Sequence, residues 1–306
     1  MEYFVRVALS LSMALLVLSL GLQTKLSSAL SLLRAPAQLA RATLSMYVVM
    51  PLLMVAFVDA FELRAPVKIA LIALSLSPVP PFLPRRQLSV SSHQDYVVGL
   101  FVGSAVLSVL LAPIAVEVLI LHYGRGESLG PLVVLQTVLL SVILPLALGI
   151  VLRGSRASSP RMLRALNAIG VGLLAVSFAP VLLKQWPAML ALIGNGTLAA
   201  ILCACALGLL VGHLLGGPFP EDRTALALAT ASRHPAVALA IASEAFTAQN
   251  QRLLAPAILL ALLVNALAAT PYVAWRRRWR SAPAAPNAAS GDSGNSSLRH
   301  FQNRSH

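Results

Sequence analysis

The chain has 306 residues, of which 58% are hydrophobic and only 11% charged. Ordinary soluble domains carry about 25% charged residues, so this composition excludes a soluble domain and predicts an all-α polytopic membrane protein. The formal net charge of +13 comes from basic residues in short loops between apolar runs. That positive-inside pattern indicates a lipid bilayer as the partner and argues against nucleic acid.

Nine apolar runs stand out, and we interpret them as about nine transmembrane helices. They lie near residues 4–22, 41–61, 66–84, 96–121, 131–152, 163–183, 188–215, 224–246 and 253–275. The first run lacks a strongly basic start and a small-residue cleavage site, so it is expected to be a retained helix rather than a signal peptide. After the ninth run the chain is rich in Ala, Pro, Ser, Asn and Gly, and residues 281–306 are expected to form a disordered cytoplasmic tail.

The distribution of Lys and Arg predicts the orientation in the membrane. If the C-terminal cluster is cytoplasmic, alternate loops fall on the same side. The basic residues on that side are Lys25, Arg34, Arg41, Arg85, Arg86, Arg153, Arg156, Arg161, Arg164, Arg223, Arg276, Arg277, Arg278 and Arg280. Fewer lie on the other side, so we expect an inner-membrane protein with its N-terminus outside and its C-terminus in the cytoplasm. Trp275 and Trp279 would anchor the inner interface.

The eighth run is interrupted at its middle by Arg233, His234 and Pro235. Arginine stays charged, and placing it at mid-membrane costs about 2.5–3.5 kcal/mol on insertion scales. Pro235 lacks a backbone N–H and also frees the carbonyl of Ala231, four residues earlier. In lipid these groups need partners, so the broken helix is expected to face protein or a watery cavity.

The third run is interrupted as well, by Pro78, Pro80, Pro81 and Pro84. These prolines cannot continue a regular helix; alternatively, they only mark a helix end in a cytoplasmic loop. The third and eighth runs are separated by an odd number of crossings, so they run in opposite directions. Interrupted segments in inverted positions predict a transporter with its site near the midplane.

Several motifs in order resemble the bile acid:sodium symporter family, over residues from about 5 to 275. They are ALSLSMALLVLSLGLQ near the start, MYVVMP (Met46–Pro51), the proline-rich stretch Pro78–Gln87, a following helix ending LLAP (Leu110–Pro113), and LATASRHPAVALAIA around Arg233. The resemblance implies two inverted repeats of five helices, with one peripheral helix missing here, and two broken crossover helices. It divides the transmembrane domain, residues 1–280, into a core near 41–121 and 188–275 and a panel near 4–22 and 131–183.

The resemblance also implies a sodium cofactor held by oxygen atoms at the crossovers. The positions that match three family ligands carry Ala229, Arg233 and Met46 here, and none of these side chains offers an oxygen. The Ser-Asn pair of the family's first crossover has no clear counterpart in this sequence, where Arg86 and Gln87 lie nearest to its position. A guanidinium would also repel a cation at close range. We therefore expect no sodium site and no other cofactor.

Arg233 has two interpretations as an intramembrane charge. It either forms a buried ion pair, for example with Glu117, or is a fixed cation that takes the place of sodium and holds an anionic substrate group. His234 either shuttles protons or is a neutral hydrogen-bonding residue. Thr230 and Ser232 either satisfy freed backbone groups or line a cavity.

Asn265 in the ninth run is a candidate for an interhelical hydrogen bond or for a ligand contact. The candidate substrate-binding residues are Arg233, His234, Thr230, Ser232, Gln87 and Asn265, and the helix-breaking residues are Pro78, Pro80, Pro81 and Pro235. Cys203 and Cys205 point to different faces of one run and are interpreted as core residues, so no metal site is expected.

These observations predict a secondary transporter whose partner is a small or amphipathic organic anion, working by alternating access. The alternative is a non-transporting membrane receptor or sensor on the same fold, with the polar tail as an interaction segment. Soluble-enzyme motifs such as GxxxxGK[ST] and HExxH are absent from the sequence, so we do not expect an enzyme. The oligomeric state is not predicted.

Overall fold

The computed structural model describes residues 2–88, 93–123, 131–155, 158–245 and 251–281, and every regular element in these ranges is a helix. Seven of the helices are long and apolar enough to cross a membrane, and two shorter apolar helices lie at Val7–Gln23 and Ala65–Leu76. The prediction of an all-α polytopic membrane protein is therefore confirmed. Arg156 and most of the predicted tail, residues 282–306, lie outside the described residues.

The first half of the chain forms seven helices and one π-helical turn. They are α1 (Glu2–Gln23), α2 (Leu26–Ala29), α3 (Pro36–Thr43), the π-helical turn Leu44–Val49, α4 (Met50–Ala60), α5 (Ala65–Leu76), α6 (Leu83–Leu88) and α7 (Gln94–Tyr123). Proline lies in the first turn of α3 and α5, where its missing N–H costs no intrahelical hydrogen bond. The π-helical turn joins α3 to α4 without ending the helical path, and the sequence pattern did not predict it.

The second half contains the remaining seven helices and a second π-helical turn. They are α8 (Pro131–Val138), the turn Leu139–Ile143, α9 (Leu144–Val151), α10 (Pro160–Leu192), α11 (Thr197–Leu215), α12 (Pro220–Ala231), α13 (Pro235–Ala245) and α14 (Gln251–Ser281). Each half ends with a broken pair followed by one long helix: α5 and α6 before α7, and α12 and α13 before α14.

Two expected helix boundaries are wrong. The sixth run was expected to end near residue 183, but α10 continues through Pro187 to Leu192. The chain turns only afterwards, where Asn195 has φ of 44° and the glycines on either side also have positive φ, a conformation that cannot continue a right-handed helix. Likewise the family resemblance implied a helix ending at Pro113, but α7 passes through it to Tyr123, as the fourth apolar run at 96–121 predicts. Prolines inside transmembrane helices are tolerated when neighbouring groups satisfy the freed backbone.

Close contacts between helices depend on glycines, and three of them, Gly208, Gly212 and Gly216, lie four residues apart along and just after α11. On α11, a Cβ atom at Gly212 would lie 2.5 Å from the Cα of Ala227 on α12. Between α1 and α9, a Cβ at Gly149 would lie 2.7 Å from the Cα of Gly21. Both contacts leave no room for a side chain. Of the two cysteines on α11, Cys205 is buried but Cys203 is exposed, so the expectation that both are core residues is wrong for Cys203.

The two broken pairs lie side by side and antiparallel. We call residues 77–82, between α5 and α6, the first break, and residues 232–234, between α12 and α13, the second break. The Gln87 side chain, near the end of α6, donates a hydrogen bond to the carbonyl of Ala225 in α12. The backbone N–H of His234 donates to the carbonyl of Pro78. The two breaks therefore meet inside the helical bundle, in inverted orientation.

Candidate functional site

The first break is a buried stretch of irregular backbone. Helix α5 ends at Leu76 because Ser77 is extended, with ψ of 157°, and prolines follow. The N–H of Val79 is satisfied by the hydroxyl of Ser104 on α7 at 3.2 Å. A helix resumes at Leu83, so the alternative that these prolines only mark a helix end is wrong. Irregular backbone at this depth is tolerated only when protein groups or water satisfy it.

The second break is shorter and begins where α12 ends at Ala231. Ser232 is extended, with φ of −105° and ψ of 126°, and Pro235 occupies the first position of α13. The carbonyl of Ala231 accepts a hydrogen bond from the side-chain amide of Asn265 on α14. The partner that the freed Ala231 carbonyl requires is thus supplied by a neighbouring helix.

The guanidinium of Arg233 connects three segments at the meeting point of the breaks. Its Nε donates to the carbonyl of Thr230 at 3.1 Å, at the end of α12. Its two Nη atoms donate to the carbonyl of Ser77 at 2.9 Å and to that of Met46 at 2.8 Å, in the π-helical turn. The guanidinium carbon also lies 5.8 Å from the ring centroid of Tyr47. Arg233 is only 4% exposed.

Arg233 forms no ion pair with a carboxylate in the part of the chain that the structure describes. Glu117, the partner considered above, lies exposed on α7, so that interpretation is wrong. Carbonyl oxygens supply only partial negative charge, and the full positive charge remains without an opposite unit charge. A guanidinium carries five N–H groups, so two remain after the three hydrogen bonds to carbonyls.

The other predicted residues at the second break occupy different positions. The Thr230 hydroxyl shares a hydrogen bond of 2.7 Å with the hydroxyl of Ser45, which ties α12 to the π-helical turn. Ser232 is 9% exposed in the extended segment. His234 is fully buried, and its Nδ1 accepts a long hydrogen bond of 3.5 Å from the N–H of Val237. Its Nε2 has no hydrogen-bond partner among the described residues.

Gln87 lies away from Arg233, against the first half of α12. Its amide nitrogen donates to the carbonyl of Ala225 at 2.6 Å. Its amide oxygen is buried and has no partner within the described ranges. Buried polar atoms in folded proteins are normally paired, so an unpaired one indicates a ligand or water position.

A small cavity lies beside Arg233, between α4, α5, α11, α12 and α14. Its volume is about 40 Å³, and its polar lining comes from Arg233, Thr230, Asn265, Ser75 and Cys205. This is enough for about one to three water molecules. The structure thus brings together three of the predicted site residues, Arg233, Thr230 and Asn265, around one cavity. Gln87, Ser232 and His234 do not line it.

Sequence reasoning missed the groups that hold the guanidinium. Two of its partners are the backbone carbonyls of Met46 and Ser77, and a backbone carbonyl leaves no trace in residue type. Tyr47 and Ser45 were also missed, although they lie in or next to the MYVVMP stretch. The one available signal was the free carbonyl that Pro235 creates at Ala231, which pointed correctly to a partner on a neighbouring helix.

The chain was compared with models of known protein families. The family model described as Sodium Bile acid symporter family matches residues 10–190, which is more than half of the 306 residues. The matched range includes the π-helical turn Leu44–Val49 and the first break. No curated protein matches the chain.

Proposed function

Since this chain belongs to the sodium bile acid symporter family, we propose that it is a secondary transporter of small or amphipathic organic anions. Members of this family are membrane transporters rather than enzymes, and the helical fold makes the chain an integral multi-pass membrane protein. The substrate class and the way in which transport is driven are the parts that we infer from the site.

The observation that carries the proposal is the buried positive charge of Arg233 where the two breaks meet. A unit charge attracts an anion far more strongly in a low-dielectric interior than in water. Intramembrane charges that face a protein interior commonly mark substrate pathways. His234 Nε2 and the Gln87 amide oxygen are buried polar atoms that lack partners among the described residues, and both can contact a polar substrate group.

We also propose that transport by this chain does not require sodium. The carbonyl oxygens of Met46, Ser77 and Thr230 approach from three segments, and each accepts a hydrogen bond from a different nitrogen of the Arg233 guanidinium. Arg233 is thus a fixed cation at this place, and a fixed cation repels a second one at close range. A covalently attached cation would thus take the structural role that a bound sodium ion plays elsewhere in the family.

Alternating access would move a core domain, near residues 41–121 and 188–275, against a panel near 4–22 and 131–183. Helix α1 packs extensively against α9 and α10, which supports treating these panel helices as one unit.

Arg276 donates to the Thr224 hydroxyl and to the Pro220 carbonyl, so α14 ends beside the start of α12. We propose nine crossings in the inner membrane, with an outside N-terminus and a cytoplasmic C-terminus, a topology in which the end of α14 and the start of α12 lie on the same side.

The test is ligand-induced thermal stabilisation of the purified protein in detergent. A panel of organic anions is added in sodium chloride or in choline chloride, so that only the cation changes. A ligand that binds the folded state raises the melting temperature by mass action. We expect an anion to stabilise the wild type equally in both salts and to lose its effect in Arg233→Gln. Arg164→Gln, at an exposed arginine, is the matched control.

Uptake of the anion identified in this way is then measured in proteoliposomes. Saturable uptake that is the same in sodium and choline supports the proposal. Binding without uptake would overturn transport in favour of a receptor, and stabilisation that requires sodium would overturn sodium independence.

A further inference from the structure

We propose that the cavity beside Arg233 is a binding site for one small monovalent inorganic anion of halide size, which serves as counter-ion to the buried guanidinium. The proposal needs only the buried charge and the cavity, so it does not depend on the identity of the transported substrate.

The first step is the charge balance around Arg233. The residue is 4% exposed, and the ion pairs between described residues, His93 with Asp222 and His122 with Asp59, do not include it. Three carbonyl dipoles compensate part of its charge. Removing an ion from water without an opposite charge is costly, and buried charges in proteins are normally paired. A diffusible anion can supply the missing charge where no carboxylate does.

The second step is the supply of hydrogen-bond donors. Two guanidinium N–H groups remain after the three carbonyl contacts of Arg233. The Asn265 amide uses one N–H for the carbonyl of Ala231 and accepts from the Cys205 thiol at 2.9 Å, which leaves its second N–H. Both side chains line the cavity. Its lining therefore offers a positive charge and N–H donors, and it includes no carboxylate.

The third step is size. At about 40 Å³ the cavity has room for a single halide ion or for a few waters. The remaining lining is apolar, with Met50, Met54, Leu71 and Ile201 among its members. An apolar wall hydrates an anion poorly, so the site favours a weakly hydrated monovalent ion.

Bromide provides the direct test, because its anomalous scattering identifies it in a crystal. Wild-type protein crystallised in sodium bromide is expected to show a bromide peak inside the cavity next to Arg233. In solution, the melting temperature should rise saturably with chloride or bromide and not with gluconate at equal ionic strength. A cavity without bromide, or a melting temperature that responds equally to gluconate, would overturn the proposal.

Two variants keep the test independent of Arg233, whose removal can impair folding. Ala204→Leu fills the cavity from its wall and should abolish the halide response while the guanidinium stays in place. Asn265→Asp should also abolish it, because it supplies a built-in counter-ion. Arg164→Gln should retain the full halide response. A halide response that survives both Ala204→Leu and Asn265→Asp would contradict the proposed position. Organic-anion uptake is measured in parallel, so failure of the halide site and failure of the transport proposal remain distinguishable.

Discussion

The backbone N–H of His234 donates a hydrogen bond of 2.8 Å to the carbonyl oxygen of Pro78. Each residue belongs to a stretch where a transmembrane helix is interrupted, so each break satisfies a backbone group of the other. A bilayer interior offers no water for such groups. The two breaks are therefore stable only together, and Arg233 strengthens the connection through its hydrogen bond to the neighbouring carbonyl of Ser77.

Replacing Arg233 by methionine should strongly destabilise the protein. The substitution leaves the buried carbonyls of Met46, Ser77 and Thr230 without their side-chain donor. A buried acceptor that is left without its donor costs about 1–3 kcal/mol of unfolding free energy. Thermal unfolding in detergent measures the effect, with Arg164→Met as control. Equal melting temperatures for the two variants would show that the carbonyl contacts contribute little.

Replacing Arg233 by glutamine should create a response to sodium that the wild type lacks. Without the guanidinium, the three carbonyl oxygens lose their donor, and the new amide oxygen adds a ligand of the type that a hard cation prefers. We expect sodium chloride to raise the melting temperature of Arg233→Gln relative to choline chloride, and to leave the wild type unchanged. Arg233→Met lacks the added oxygen and should respond less. A wild-type response as large as that of the glutamine variant would contradict the idea of a built-in cation.

Gly212→Ala should separate α11 from α12. Its Cβ would lie 2.5 Å from the Cα of Ala227 and 2.6 Å from the carbonyl oxygen of Leu226, and backbone atoms cannot move aside locally. Gly172→Ala is the matched control, because a Cβ there meets nothing within 4 Å and alanine favours the helix by about 0.5–1 kcal/mol. The melting temperature should fall for Gly212→Ala and stay equal or rise for Gly172→Ala. The reverse order would refute the close contact.

Asp222→Ala should destabilise the end of the bundle where α12 begins. The carboxylate of Asp222 is buried, lies 2.9 Å from Nδ1 of His93, and accepts a hydrogen bond from the amide of Gln38 at 3.2 Å. Its loss removes both hydrogen bonds, each of which typically contributes about 0.5–1.5 kcal/mol to the free energy of unfolding. Glu221→Ala controls for the favourable effect of an acidic residue in the first helical turn, since Glu221 occupies the same turn. If both variants had similar melting temperatures, the contribution of Asp222 would come only from its acidic charge in the first turn of α12, and its contacts with His93 and Gln38 would add nothing.

The membrane class and the positions of both breaks could be predicted because their causes are local. A span needs only enough apolar residues, and every helical backbone group is satisfied within its own segment. Proline interrupts a helix wherever it lacks a compensating partner. Pro113 and Pro187 are exceptions, since they lie inside continuous helices. Whether a helix accommodates a proline depends on its neighbouring helices, and the amino-acid sequence does not show which helices are neighbours.

The residue types at the centre of the site were also apparent, since a charged and proline-interrupted stretch inside an apolar run is unusual by itself. The groups that these residues contact were not apparent from the sequence. Arg233 was considered as the partner of Glu117, yet its partners are carbonyls of Met46 and Ser77, far away along the chain. A carbonyl is present at every residue, so only the approach of three segments in space selects these particular ones.

The amino-acid sequence by itself determined the all-helical membrane fold, the two inverted interruptions and the buried charge, because each depends on hydrophobicity and backbone chemistry within one segment. The tertiary structure alone decided that both interruptions touch, that Arg233 connects them to the π-helical turn, and that a small cavity remains beside its guanidinium. The physical reason is that hydrogen bonding and charge compensation at this depth depend on distances of about 3 Å between groups, and the packing of helices distant in the chain determines those distances.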